Sequence, residues 1–144
     1  MSEKLRPKIR VLTADDSIEI RETLFSFLTK QDQLVVMAQA ADGQEALEQA
    51  GRLPVDLAIL DIQMPKMSGL EAAAELRKRF PHLRILLMSA YAEPEMLRAA
   101  KKSGANGFIV KGRLRSELMR KIRRLFPEYF PQRLAKKSRP GPQD

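Results

Sequence analysis

Apolar residues in this chain fall into short compact runs separated by stripes of helical spacing, and the two patterns alternate from one end to the other. Residues 8–13, 34–40, 55–60, 85–88 and 107–110 are runs of strand length. The third, Val55-Asp56-Leu57-Ala58-Ile59-Leu60, is apolar apart from Asp56, as expected of a strand covered on both faces. Between the runs, apolar positions recur every three or four residues. Ile20, Leu24, Phe27 and Leu28 form one such stripe over 17–30, and Leu114, Leu118, Ile122 and Leu125 form another over 113–126.

Helix boundaries are marked by residue chemistry. Asp42-Gly43-Gln44-Glu45 and Ser68-Gly69-Leu70-Glu71 both have the form of a capping box, in which an N-cap oxygen and a carboxylate three residues on satisfy free backbone N–H groups. The first opens a helix ending near Gly51; the second opens a helix over 69–79 that stops before Pro81. Pro94 suits the first turn of a fourth helix and Gly104 its C-terminal stop. Five strands alternating with five helices imply right-handed crossovers and one parallel α/β sheet covered on both faces. After Phe126, Pro127, Pro131, Pro140 and Pro142 break the pattern. Phe126, Tyr129, Phe130 and Leu134 offer a short docking extension, and disorder is expected from about Leu134. The organisation expected is an N-terminal extension over 1–7, one domain over 8–126, and a basic, proline-containing tail over 127–144.

Composition changes this picture in two ways. The 144 residues include no cysteine, which excludes disulfides and thiolate metal sites. No apolar stretch approaches the roughly 18 residues of a membrane span, and the start lacks the apolar segment of a secretory signal, so a cytoplasmic protein without a membrane partner is the default expectation. The net charge is +8, and it is not spread evenly. Residues 1–110 carry 15 basic and 15 acidic side chains; residues 111–144 carry 11 basic against three acidic, which accounts for the whole imbalance. A solvated last helix followed by a basic tail is the plain reading, and contact with nucleic acid is the alternative.

In an open parallel sheet the reactive crevice lies beyond the carboxyl ends of the strands. Asp15 and Asp16 fall at the end of the first strand, Asp61 at the third, Ser89 at the fourth and Lys111 at the fifth. Three clustered carboxylates repel and raise one another's pKa, and Mg²⁺ relieves this while keeping several waters. Asp61 would then serve as a carboxylate nucleophile forming an acyl phosphate. The metal and Lys111 would supply charge to the phosphoryl oxygens, and the Ser89 hydroxyl a hydrogen bond.

With these residues in place the chain resembles the receiver domain of two-component response regulators. The resemblance rests on Asp15-Asp16 after strand one, Asp61 with Met64-Pro65 and Gly69, Ser89-Ala90 after strand four, and Lys111 after Phe108-Ile109-Val110. It spans roughly residues 8–126. It implies a flavodoxin-like doubly wound sheet of order 2-1-3-4-5. It also implies phosphoryl transfer to Asp61 from a histidine kinase or histidine phosphotransfer protein, with no other enzymatic turnover than slow self-dephosphorylation. Asp15, Asp16, Asp61 and the Gln63 backbone carbonyl would hold Mg²⁺ or Mn²⁺. Ser89 would swing toward the phosphoryl group and Phe108 would turn inward behind it. The face made by helix four, strand five and helix five would carry the signal, to a protein partner or a second copy. Gln63 and Tyr91 would flank the phosphoryl group and modulate hydrolysis, the bulk of Tyr91 slowing attack by water.

Three positions depart from the family pattern. Gly112 follows Lys111 where proline is usual, so a trans Lys111–Gly112 peptide is expected, because a cis bond without proline costs about 3–4 kcal/mol. Ser89 stands for the commoner threonine, and Phe108 where tyrosine is frequent. A stand-alone receiver signalling by protein contact is the principal expectation. A truncated or atypical transcription regulator, touching nucleic acid through the basic C-terminal segment, is the alternative. A carboxylate-nucleophile phosphatase would usually carry a second acid two residues after the nucleophile, and Gln63 occupies that position. A pseudo-receiver acting by fold alone fits poorly with the intact acidic set.

Overall fold

The structure, a computed structural model, describes residues 7–131. Five parallel strands, β1 (Ile9–Ala14), β2 (Leu34–Ala40), β3 (Leu57–Asp61), β4 (Arg84–Ser89) and β5 (Gly107–Val110), form one sheet in the order β2-β1-β3-β4-β5. The helices between them are α1 (Ile18–Thr29), α2 (Gly43–Arg52), α3 (Gly69–Arg79), α4 (Pro94–Lys102) and α5 (Leu114–Leu125). The doubly wound fold implied by the resemblance is therefore the fold observed. Among the described residues no helix is long and apolar enough to cross a membrane.

Strand periodicity divides the core in two. Ile9, Val11, Leu57, Ile59, Leu86, Met88 and Ile109 face α1 and α5, where they pack with Leu24, Leu28, Leu118 and Ile122. Leu12, Ala14, Ala58, Leu60, Ile85 and Leu87 face the other way, against Ala46 and Leu47 of α2, Ala72, Ala73 and Leu76 of α3, and Ala100 of α4. The small residues on α2 and α3 let those helices sit close to the sheet. Met64, Met67 and Met96 fill the margins of this second cluster, while Met88 and Met119 belong to the first, as gap-filling side chains do.

The ends of the elements depart from expectation where side-chain pairing intervenes. β3 begins at Leu57 and not Val55, and just before it Asp56 pairs with Arg10 of β1: Arg10 Nε and Nη2 donate to its two carboxylate oxygens at 2.9 and 3.0 Å. The Arg10 N–H donates to the same carboxylate at 2.9 Å. The last helix does not start at 113; Lys111–Arg113 form a 3₁₀ turn that leads into α5. No cis peptide occurs among the described residues, so the Lys111–Gly112 bond is trans as expected. α4 ends as anticipated, with Gly104 at φ +93°, a left-handed stop that glycine takes without strain. Phe126 and Phe130 are buried against the first core cluster, Tyr129 packs beside them, and Arg84 lies over the Phe126 ring at 4.5 Å. Leu134 and the expected disorder beyond it lie outside the described residues.

Burial alone would raise the Asp56 carboxyl, but hydrogen bonds from the Arg10 side chain and backbone, with the charges of Arg10 and Arg84, hold it below the ordinary carboxylate range. Replacing it should leave the Arg10 N–H without its side-chain partner. Asp56→Ala is expected to cost about 1–2 kcal/mol, a figure kept low by the exposure of the Arg10 side chain. A native pKa below the unfolded value of about 3.9 means that the contribution is complete above that pH and lost as pH falls through the native value. Urea denaturation of wild type and variant should accordingly differ at pH 7 and converge in strong acid; a pH-independent gap would contradict the assignment.

Candidate functional site

The period of two along a strand decides which side chains meet at the carboxyl edge of the sheet. Asp15 continues the line of Val11 and Thr13, Asp61 that of Leu57 and Ile59, and Lys111 that of Ile109, so all three emerge on the α1/α5 side. The Lys111 ammonium lies 2.9 Å from Asp15 Oδ2 and 3.1 Å from Asp61 Oδ2, joining β5 to β1 and β3 across the intervening β4. Asp15 and Asp61 are buried, and Asp16 is exposed beside them. One carboxylate oxygen from each of the three lies within 4.8 Å of the others. Asp61 is the last residue of β3 and Ser89 the last of β4; both were expected just beyond their strands.

The turns that follow these strand ends hold the acids in place. The Ser17 N–H donates to Asp15 Oδ1 at 2.9 Å, while Ser17 Oγ caps α1 by accepting from the Ile20 N–H. Arg21, on the first turns of α1, donates to the Asp15 backbone carbonyl at 2.6 Å. The Gln63 N–H donates to Asp61 Oδ1 at 3.3 Å, and the Gln63 side chain is exposed. The loop closes where the Gly69 N–H meets the Ile62 carbonyl at 2.9 Å. A side chain at Gly69 would overlap the Asp61 backbone carbonyl, which is why glycine opens α3. Arg21 and Ser17 did not stand out in the sequence. A lone arginine six residues after Asp15, near the start of a helix whose dipole favours acids, was the available signal.

Ser89 and Phe108 lie on the opposite face. Ser89 continues the line of Ile85 and Leu87, and Phe108, paired with Leu87, is half-buried against the α2/α3/α4 cluster. Ser89 Oγ accepts from the Tyr91 N–H at 3.4 Å. The Tyr91 ring is 69% exposed, so it is not packed over the acids. The groove between α1 and α5, about 550 Å³ and lined by Glu19, Phe27, Leu114 and Leu118 among others, contains none of these residues. The acidic constellation sits on an open sheet edge.

Burial, and then the charge of Asp15, raise the Asp61 carboxyl above the usual carboxylate range, against the opposing pull of Lys111 and the Gln63 N–H. Burial also works against the Lys111 charge, but its hydrogen bonds to Asp15 and Asp61 outweigh this and hold the ammonium pKa above the ordinary lysine value. Three carboxylates facing one ammonium leave a surplus of negative charge. Hard oxygen donors at this spacing fit Mg²⁺ or Mn²⁺, which would relieve the surplus.

Comparison with known proteins follows the same lines. The response regulator receiver domain family matches residues 11–123. The chain is 32% identical over 103 residues to the transcriptional regulatory protein LnrK of Bacillus subtilis, covering 72% of this chain and 47% of that protein. It is similar to the signal receiver domain of NarL from Mycobacterium tuberculosis, at 35% identity and a TM-score of 0.77, covering 81% of this chain and 94% of that one. It is also similar to a chain in the CheX–CheY–BeF₃–Mg²⁺ complex from Borrelia burgdorferi, at 26% identity and a TM-score of 0.78, covering 88% and 95%. The chain spans about half the length of the curated relatives it matches.

A carboxyl raised by burial and a like charge is unfavourable when ionised, so its stabilising balance is best below the unfolded pKa and is lost as pH rises through the native value. Without divalent metal, Asp61→Asn should therefore melt a few degrees higher than wild type at pH 7, with the difference shrinking toward pH 4. A scanning calorimetry series across pH checks it; equal or lower stability of the variant at pH 7 would refute the reading of the charge surplus.

Proposed function

The chain belongs to the response regulator receiver family, and on that footing we propose that it is a phosphorylatable switch in which Asp61 is the acceptor. The observation that carries this is the Lys111 ammonium held against both buried carboxylates at the carboxyl edge of the sheet. A carboxylate oxygen of Asp61 attacks the phosphorus of a phosphohistidine on a histidine kinase or phosphotransfer protein. The P–N bond breaks, and the departing imidazole keeps the electron pair and takes a proton. Asp15, Asp16, Asp61 and the Gln63 backbone carbonyl would hold a divalent cation, which when bound supplies positive charge to the phosphoryl oxygens. The presence of BeF₃ and Mg²⁺ in the CheX–CheY complex that contains a similar chain supports that ligand chemistry.

Each remaining residue has a defined task. Lys111 transfers its ammonium from the Asp61 carboxylate to a phosphoryl oxygen, which keeps it paired throughout. Ser89 Oγ accepts from the Tyr91 N–H and so has its own proton free to donate to the phosphoryl group. Its displacement toward the acids opens room on the α4 side, into which Phe108 turns. The α4–β5–α5 face would thereby report phosphorylation. Gln63 and Tyr91, both exposed here, would slow the approach of water once a phosphoryl group stands between them. The functional unit spans 8–126, with 1–7 and 127–144 as flanking segments.

A second reading draws on the placement of charge. Arg115, Arg120 and Arg124 are exposed along α5, and among the described residues Arg113 and Arg120 have only Glu117, at 3.6 and 3.7 Å, to offset them. Such a surface suits an acidic protein partner or the acidic face of a second copy. Because LnrK is a transcriptional regulatory protein of which the matched region makes up 47%, contact with nucleic acid is the competing use.

Incubation with acetyl phosphate and Mg²⁺ should add one phosphate to the wild type by intact mass and none to Asp61→Asn; an unmodified wild type would end the proposal. Tyr91→Ala should lose the phosphate several-fold faster by the same assay, and an unchanged lifetime would mean that Tyr91 does not shield the acyl phosphate from water. Partner association through α5 should slow as salt rises. Binding of duplex DNA at low salt would favour the nucleic-acid reading over the protein one.

A further inference from the structure

The loop that carries Asp61 and Gln63 is held from outside by the start of α2, a contact with no part in the phosphoryl chemistry above. Gly43 is buried, and its N–H donates to the Met67 carbonyl at 3.1 Å. Any side chain at 43 would overlap that carbonyl and lie 2.9 Å from the Met67 carbonyl carbon and Cβ, contacts that neither backbone could relieve without moving. One residue earlier, Asp42 Oδ2 lies 3.7 Å from the Lys66 ammonium. Between these two contacts the chain makes a three-residue turn. The Met67 N–H donates to the Pro65 carbonyl at 2.6 Å, with Lys66 at φ +66°, the only positive φ of a non-glycine among the described residues.

That conformation is uncommon for a lysine and persists where neighbouring contacts hold the turn. Here the contacts on either side of it are to the start of α2. The start of that helix is itself rigid: Asp42 Oδ1 accepts from the Glu45 N–H at 2.8 Å, and Glu45 Oε1 accepts from the Ala41 N–H at 2.8 Å. The segment from Asp61 to Gly69 is therefore pinned twice, at Gly69 against the backbone of Asp61 and Ile62, and at Met67 against Gly43. Gln63, whose carbonyl is proposed to face the metal, lies between the two pins.

We infer that Gly43, with Asp42 and Lys66, positions the acceptor loop for metal binding: the start of α2 sets where the Gln63 carbonyl stands relative to Asp61. The inference rests on the reading of Asp15, Asp16, Asp61 and Gln63 as the metal-binding set. It makes Gly43 a positioning residue that acts through Met67 and touches neither metal nor phosphoryl group.

The test is Mg²⁺ titration of the metal-free protein, followed by backbone amide shifts in NMR, with thermal melting of the same samples. Gly43→Ala should weaken Mg²⁺ binding by roughly tenfold, the usual scale for a residue that orients a metal ligand. Lys66→Gly, which accepts a positive φ and releases Asp42, should weaken it in the same direction by a smaller factor while melting near the wild-type temperature. Gly51→Ala, in the same helix with open space around it, is the control and should bind as wild type does. Wild-type affinity in both Gly43→Ala and Lys66→Gly would overturn the inference. Should Gly43→Ala fail to fold, Lys66→Gly decides alone. Absence of saturable Mg²⁺ binding in the wild type would instead overturn the reading of the acidic set, and the inference with it.

Discussion

One ammonium between two buried carboxylates is the constraint on which the rest of the molecule depends. Asp15 and Asp61 stand at the carboxyl ends of adjacent strands with their charges on the same side of the sheet, an arrangement that would be strongly repulsive alone. Lys111 offsets it from 2.9 and 3.1 Å. For that to happen, β1, β3 and β5 must finish level with one another, and each must present the right parity at its last residues. A slip of one residue in any of them would send its charged group to the opposite face. Strand order, register and the two-layer core are in this sense conditions for a single ion-pair triangle.

The division of the sheet into two faces also separates two kinds of work. The charged groups emerge toward α1 and α5, whereas Ser89 and Phe108 belong to the side covered by α2, α3 and α4. A group that binds at the acids can reach the second side only through the strand ends themselves. Ser89, at the last position of β4 and next to Val110 of β5, is placed to make that connection. The family match covers residues 11–123 and so takes in both faces.

Much of this was legible in the residues because it follows from local rules. Run length and spacing located every strand and helix, and strand-end logic alone brought Asp15, Asp16, Asp61 and Lys111 together. What escaped is what long side chains do across the fold. Asp56 read as an interruption in an apolar run; its partner, Arg10, is 46 residues away on the neighbouring strand. Asp42 and Glu45 read as a closed box, but Glu45 reaches past the cap to the Ala41 N–H. Arg77 carried no signal of its own, and it is committed to the Gly104 backbone carbonyl, 27 residues away, which only tertiary packing delivers. The close approach of Gly43 to Met67 had no local signal at all, since nothing in either segment names the other.

Arg77 gives the fourth helix two unlike ends. From α3 its Nε and Nη2 donate to the Gly104 carbonyl at 3.0 and 2.9 Å, and Nη2 also reaches Asn106 Oδ1 at 2.8 Å. The far end of α4 has no such tether: Glu93 makes no side-chain cap, Tyr91 and Leu97 are exposed, and Ala100 is the one buried residue of the helix. α4 is thus leashed at its tail, and the end without that leash is the one nearest Ser89. A change arriving from the acids through Ser89 would therefore meet the end of α4 that Arg77 does not hold.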